Sequence, residues 1–300
     1  MDFEARAKCI TGTDIGALIG VNPWKTPLDV YLEKVGLTHG IPDNKYMEWG
    51  RRLEAVVAKK YAESIEGGLQ HGSFRRDGII GGTPDYLTDS AVIEIKTANA
   101  RSEKDWGEEG TDHIPQQYLA QILWYMGLEH KSHGICAVLI GGNDYRVYKI
   151  ARNEALLTHM IETAQHFWEN HVIPQIPPEA TGRDNEGLKV LYPTSNQEII
   201  NAPCMCQLAE ELDEINNEVT KFTRRAEEIV AEMKAEIGPN AGINTGKHVA
   251  TWKKTKDGAK TDWNKIAIDL HASPELIAAY TIPTIGYRRF SFKRIENGPK

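Results

Sequence analysis

The chain has 300 residues, of which 41% are hydrophobic and 26% charged, the composition of an ordinary soluble protein with material for one large domain or two modest ones. No apolar run approaches the roughly 18 residues of a membrane span, and the start, MDFEARAKCITGTD, lacks the apolar core of a signal peptide, so a cytoplasmic protein with no membrane partner is expected. The net charge of -7 does not advertise nucleic-acid binding, but residues 241–300 hold 11 Lys and Arg against 5 Asp and Glu, which is +6 there and -13 elsewhere.

Taken in order, the chain opens on Thr11-Gly12-Thr13-Asp14 ahead of Ile15, Leu18 and Ile19. The spacing predicts a helix capped by Thr13 or Asp14. Asn22-Pro23-Trp24 marks a turn, and Leu28 to Val35 resumes as helix. Residues 46–64 read as the next helix, with Leu53, Val56, Val57 and Tyr61 as its apolar stripe. Glu54 falls one residue round from that stripe, where a carboxylate can point into a cleft, and Glu48 is its nearby competitor. Gly67-Gly68, Gly72, Asp77-Gly78 and Gly81-Gly82 then punctuate short strands and tight turns.

The stretch Ile79 to Thr97, IIGGTPDYLTDSAVIEIKT, organises the rest. Ile79 and Ile80 enter a strand, Thr88-Asp89-Ser90 is turn chemistry, and Ala91 to Lys96 is the second strand of the hairpin. Alternation sends Glu94 and Lys96 to one face and Ile93 and Ile95 to the other. Asp85, on the first strand, can pair near Glu94. Two carboxylates held together repel, so a divalent cation such as Mg²⁺, with Mn²⁺ as a substitute, is their natural partner. The lysine can orient a metal-bound water or neutralise charge in a transition state.

Residues 98–112 form a polar loop in which Trp106 is expected to pack rather than stack on a base. Residues 113–128 form a helix with Pro115 in its first turn. Gln117 and Gln121 share a face with Tyr118 and Tyr125 on or beside it, and Leu119, Ile122, Leu123 and Met126 cover the opposite side. Strands at Gly134–Ile140 and Tyr145–Ile150 follow, joined at Gly141-Gly142-Asn143-Asp144, then an amphipathic helix over 153–171. The histidines of that helix lack metal-ligand spacing. Cys9, Cys136, Cys204 and Cys206 make no CxxC pair and no regular framework, so free thiols and no iron–sulfur cluster are expected.

Five prolines with few periodic apolar residues make 172–203 the best linker candidate. Across 205–237, Leu208, Leu212, Ile215, Val219, Phe222, Ala226, Ile229 and Met233 recur in steps of four and three. This heptad seam suits another chain or a face of this one. Strands are expected at 243–254 and 287–294, with Thr261 to Tyr280 helical between them. The run GYRRFSFKRI fits a half-buried strand with one basic face, suited to phosphates or to protecting a sheet edge.

Pro84-Asp85 followed by Glu94-Ile95-Lys96 resembles the PD-(D/E)xK nuclease signature. The surroundings, from Arg6 to about Glu169, resemble the lambda-exonuclease and YqaJ-type viral recombinase branch of that superfamily. The resemblance implies an α/β, restriction-endonuclease-like core with a central mixed sheet flanked by helices. Together with the proline, heptad and charge patterns above, it gives a core at 1–175, a linker at 176–204, a long helix at 205–238 and a small basic α/β element at 239–300. Asp85 and Glu94 would bind Mg²⁺ with the carbonyl of Ile95, and Lys96 would position the water. Gly50-Arg51-Arg52-Leu53-Glu54 resembles the segment that supplies a helix-borne metal-binding acid, here Glu54. Tyr118-Leu119-Ala120-Gln121 with Tyr125 resembles the Q-x-x-x-Y helix of RecB-like nucleases, which places Tyr118, Gln121 and Tyr125 near DNA or behind the metal ligands. Arg6 and the Ile10–Thr13 run resemble the start of lambda-type exonucleases, implying that Arg6, Thr13 and Thr83 hold a 5′-phosphate. The implied function is Mg²⁺-dependent 5′-to-3′ digestion of double-stranded DNA ends in phage-type recombination. A single-strand annealing protein would be the partner, and a toroidal trimer the assembly. Two rival expectations are a structure-specific or nicking endonuclease on the same fold, and a non-catalytic DNA-binding protein.

Overall fold

A computed structural model describes residues 3–40, 44–196, 198–259 and 261–282. It divides into two compact units, Met1–Pro193 and Thr194–Lys300.

The first unit opens with helices α1 (Phe3–Ala7), α2 (Gly12–Leu18), α3 (Pro27–Lys34) and α4 (Lys45–Ala62). Two of them start on the same device, a threonine answered by an aspartate three residues on. Thr11 donates its N–H and its hydroxyl to Asp14 Oδ2, at 2.9 and 2.7 Å. Thr26 does the same with Asp29, ahead of Pro27 in the first turn. The α2 cap is therefore Thr11, not Thr13 or Asp14. Asp14 is the residue that reaches back.

The central sheet has the order β1-β4-β5-β6-β7. Its strands are β1 (Gln70–His71), β4 (Tyr86–Leu87), β5 (Ala91–Ala98), β6 (His133–Ile140) and β7 (Asp144–Ala151). β5 and β6 run parallel and every other neighbouring pair antiparallel, so the sheet is mixed, as expected. α5 (Gln116–Leu128) makes the crossover that a parallel pair needs. β2 (Arg75–Asp77) and β3 (Ile80–Gly82) form a separate two-stranded sheet. This corrects the expected hairpin: Ile79 and Ile80 do not lead into the strand that pairs with β5. Pro84 carries no N–H for a ladder, and Gly81 and Gly82 end β3 against other elements. Pairing with β5 begins afresh at Tyr86, opposite Ile93.

Both faces of the sheet are covered, which is why β5 reads as a nearly continuous apolar run. Val92 joins α2, α5 and α6 (Glu154–Phe167) in the larger core, with Trp124, Met126 and Met160. Ile93 and Ile95 face Val57, Ala58 and Tyr61 of α4. Val56 is 61% exposed, so the expected stripe is rotated. Glu54, Ala58 and Tyr61, in steps of four and three, lie on the face turned to the sheet. Trp106 is buried against Tyr118 and Tyr148, so it packs as expected.

Within the stretch read as a linker, α7 (Asn185–Leu191) sets Gly187 against Leu28 and Leu32 of α3. Asp184 accepts the Thr26 hydroxyl, and Arg183 donates to the Asn22 carbonyl.

The second unit holds α8 (Cys206–Ile237), β8 (Gly242–Asn244), β9 (Val249–Thr251), α9 (Trp263–Asp269) and α10 (Pro274–Ala279). The strand expected over 243–254 is a hairpin, turned at Gly246, whose φ is +86°. The helix expected over 261–280 breaks at His271, where φ is +55°, just before Pro274. The strand expected at 287–294 lies outside the described residues. Among the described residues no helix is long and apolar enough to cross a membrane.

Candidate active site

The site is built on the β4–β5 hairpin. Asp85 precedes β4, and its Oδ2 accepts the Ile95 N–H at 2.8 Å. Glu94 Oε1 accepts the Asp85 N–H at 3.3 Å, while its Oε2 meets Lys96 Nζ at 2.7 Å. These bonds fix the two carboxylates and the lysine to one another through the strand pairing. Glu94 is fully buried. Burial, and then the negative charge of Asp85, push its carboxyl up to about 8, against the pull of Lys96. Burial works against the charge of Lys96, but Glu94 and Asp85 outweigh it and hold the ammonium above its ordinary range.

α4 brings Glu54 to the same charges. Its carboxyl is raised by burial and then by Asp85, with Lys96 and His71 opposing. Glu48, its competitor, instead pairs with Arg52 on the exposed side of α4, at 2.8 Å.

α5 closes the other side. Lys96 Nζ lies 5.3 Å from the ring centre of Tyr118, which stacks on Trp106. Tyr125 is buried, and burial followed by the charge of Glu94 raises its phenol, while Gln121 hydrogen-bonds it and Arg6 pulls the other way. Two glycines let backbone close on these residues. A Cβ on Gly12 would lie 2.8 Å from Gln121 Cγ, and one on Gly82 would lie 2.4 Å from Tyr125 Cε1.

The structure thus gathers Glu54, Asp85, Glu94, Ile95, Lys96, Tyr118, Gln121 and Tyr125 in one neighbourhood. The residues expected at a 5′-phosphate are less tightly placed. Arg6 is half-buried and electrostatically coupled to Tyr125. Thr13 is exposed, its hydroxyl 3.1 Å from that of Thr11, and Thr83 is exposed beside Gly82.

Two features escaped the sequence reading. Cys136 stands opposite Glu94 in the β5–β6 register, and burial pushes its thiol up to about 12, which leaves it inert. Beneath α2, Lys25 and Lys34 each reach Asp14 at 2.7 Å, and Lys25 also meets Glu33 at 2.6 Å. Lys34 additionally donates to the Arg6 carbonyl at 2.9 Å. Burial alone would raise the Asp14 carboxyl, but the two ammonium groups hold it far below the usual range. The Thr-x-x-Asp spacing hinted at Asp14; nothing local points to its lysines, which arrive through helix packing.

Residues 3–131 match the YqaJ-like viral recombinase domain. An uncharacterized protein, YqaJ, of Bacillus subtilis (strain 168) is 26% identical over 322 residues, covering 97% of this chain and 93% of that protein. Among solved structures, the alkaline exonuclease LHK-Exo of Laribacter hongkongensis is 18% identical with a TM-score of 0.48, over 58% of this chain and 92% of that one. A phage-related exonuclease of Haemophilus somnus 129PT is 13% identical with a TM-score of 0.43, over 56% and 96%.

Proposed function

We propose that this protein is a Mg²⁺-dependent deoxyribonuclease, a 5′-to-3′ exonuclease acting on double-stranded DNA ends in phage-type recombination. The observation that carries the reading is the locked Asp85–Glu94–Lys96 constellation, with its surplus of negative charge. Among the described residues no three His, Cys, Asp or Glu side chains form a ready metal cage. The donor chemistry nonetheless fits a hard cation. Asp85 raises the carboxyl of Glu94, and also that of Glu54, a mutual repulsion that a divalent ion relieves.

Asp85 and Glu94 would hold the ion, with the Ile95 carbonyl as a further ligand and Glu54 in support. Bound Mg²⁺ supplies Lewis acidity toward the phosphoryl oxygen and an acidified water. The remaining work falls to the chain. Lys96 stays charged between two carboxylates and under the Tyr118 ring, so it can orient the attacking water and meet charge in the transition state. Tyr125 keeps its proton and therefore serves as a hydrogen-bond donor rather than a base, positioned by Gln121. Arg6, Thr13 and Thr83 would hold the 5′-phosphate that marks a DNA end. An annealing protein that takes up the product strand, and a homo-oligomer, trimeric by the resemblance, belong to the same reading.

The test is digestion of linear duplex DNA carrying a 5′-phosphate on one strand, with Mg²⁺ or EDTA, beside Lys96→Ala. Mg²⁺-dependent release of mononucleotides from the phosphorylated end, lost in Lys96→Ala, is expected. Cutting of closed circular DNA would instead make it an endonuclease. No cleavage with Mg²⁺ or Mn²⁺ would make it a binding protein.

A further inference from the structure

α8 spans 32 residues, yet Ile237 at its end is its one buried residue. Its apolar side chains face outward: Phe222 is 70% exposed, Leu208 57%, Val219 56% and Ile215 51%. They recur every 3.5 residues on average. On a straight helix such a repeat drifts by about 20° per heptad, and it stays on one seam only when the helix supercoils with another.

We propose that α8 pairs antiparallel with α8 of a second copy, about a two-fold axis between Thr220 and Lys221. That alignment matches the whole seam in four kinds of layer. At the centre Phe222 packs on Val219 of the second copy, and Ile215 on Ala226. Outward of these, Leu212 meets Ile229 and Leu208 meets Met233. The two central layers each set a large side chain against a smaller one. Parallel, in-register pairing would instead stack Phe222 on Phe222 and Ala226 on Ala226, one layer crowded and the next hollow, and cores tolerate neither. It would also place Ile at two of the positions where parallel two-stranded coils take Leu.

Charge agrees at the centre. Glu218 and Arg225 both flank the seam on the side preceding its layers. In the antiparallel pair each Glu218 faces Arg225 of the second copy, twice by symmetry. In the parallel pair they would face Thr223 and Val230, which carry no charge. Toward the ends Glu211 meets Glu232 of the second copy, and Arg225, 3.7 Å from Glu232 on its own helix, offsets that repulsion. Val230, 47% exposed and outside the strict seam, is covered by Ala209 of the second copy. The seam from Leu208 to Met233 runs for about 38 Å, enough for two helices to bury the ~1,200–2,000 Å² of a stable interface.

The test uses the full-length protein in sedimentation equilibrium and circular dichroism. Phe222→Glu should halve the mass of the assembly, whether that is a dimer or a pair of trimers, and leave the circular dichroism unchanged, because Phe222 is 70% exposed in its own chain. Orientation is read by disulfide trapping after Cys204 and Cys206 are replaced by serine. A mixture of Glu218→Cys and Arg225→Cys proteins should cross-link under mild oxidation, and neither variant alone should do so. A monomeric wild-type protein, or an assembly indifferent to Phe222→Glu, would overturn the pairing. In the unsubstituted protein, ready Cys206–Cys206 cross-linking would overturn its antiparallel sense.

Discussion

Asp14 and Glu94 are both fully buried carboxylates hydrogen-bonded to lysine, and they sit at opposite extremes. Asp14 has two ammonium groups at 2.7 Å and a threonine hydroxyl, and its carboxyl is held far below the usual range. Glu94 has one lysine and a second carboxylate, and its carboxyl is pushed up to about 8. Burial penalises both alike; the neighbours decide the sign. The first cluster is balanced within the chain and holds α2 to α3 and to the Arg6 carbonyl. The second is left with a negative excess that the chain does not answer. The buried charge of the first cluster is neutralised internally, whereas the proposed cation site leaves its charge unmet.

This contrast can be broken at several points. The largest effect is expected at the site: Glu94→Gln and Lys96→Ala should each lower the proposed DNA cleavage by at least ~10², with the melting temperature little lower or even higher for Glu94→Gln. Single-turnover digestion and calorimetry read the two quantities separately. Asp14→Asn should do the reverse. It leaves two buried ammonium groups short of their partner and should cost about 3–5 kcal/mol in urea unfolding near neutral pH. Because the folded Asp14 is more acidic than the unfolded one, its contribution is present above about pH 4 and fades as pH falls below that. The gap between wild type and Asp14→Asn should narrow accordingly in acid.

A smaller effect tests the packing between the site and α5. Gly82→Ala drives a methyl group into the Tyr125 ring and should cost about 1–3 kcal/mol, with a loss of cleavage if Tyr125 positions substrate. The gentlest probe is pH. Glu94 holds a proton in the metal-free fold up to about pH 8, whereas the unfolded chain releases it near the ordinary carboxylate value. Metal-free stability should therefore decline between about pH 4.5 and 8, and Glu94→Gln should flatten that decline in a series of thermal melts.

The side of this contrast that concerns chemistry was the more legible in sequence. Strand alternation alone puts Glu94 and Lys96 on one face, and helical spacing puts Gln121 and Tyr125 on one helix. Sequence does not place the segment that carries Asp85, because β3 and β4 are short and their separation depends on where β2 and Ile10 pair, which no local pattern encodes. Apolar character alone puts Val56 on the buried stripe, because the local sequence does not say which side of α4 the sheet takes. The Asp14 cluster was invisible for the same reason. Its lysines, 11 and 20 residues on, meet it only once α2 and α3 pack. The α8 seam was plain in the sequence, but its exposure along the helix was not.

The most direct test is calorimetric titration of Mg²⁺ into the wild-type protein and Asp85→Asn, near neutral pH, in two buffers of different ionisation enthalpy. Saturable binding by the wild type, with a proton released per ion as Glu94 ionises, and strongly weakened binding by Asp85→Asn are expected. No binding by the wild type, or binding that Asp85→Asn leaves unchanged, would contradict the proposed cation site.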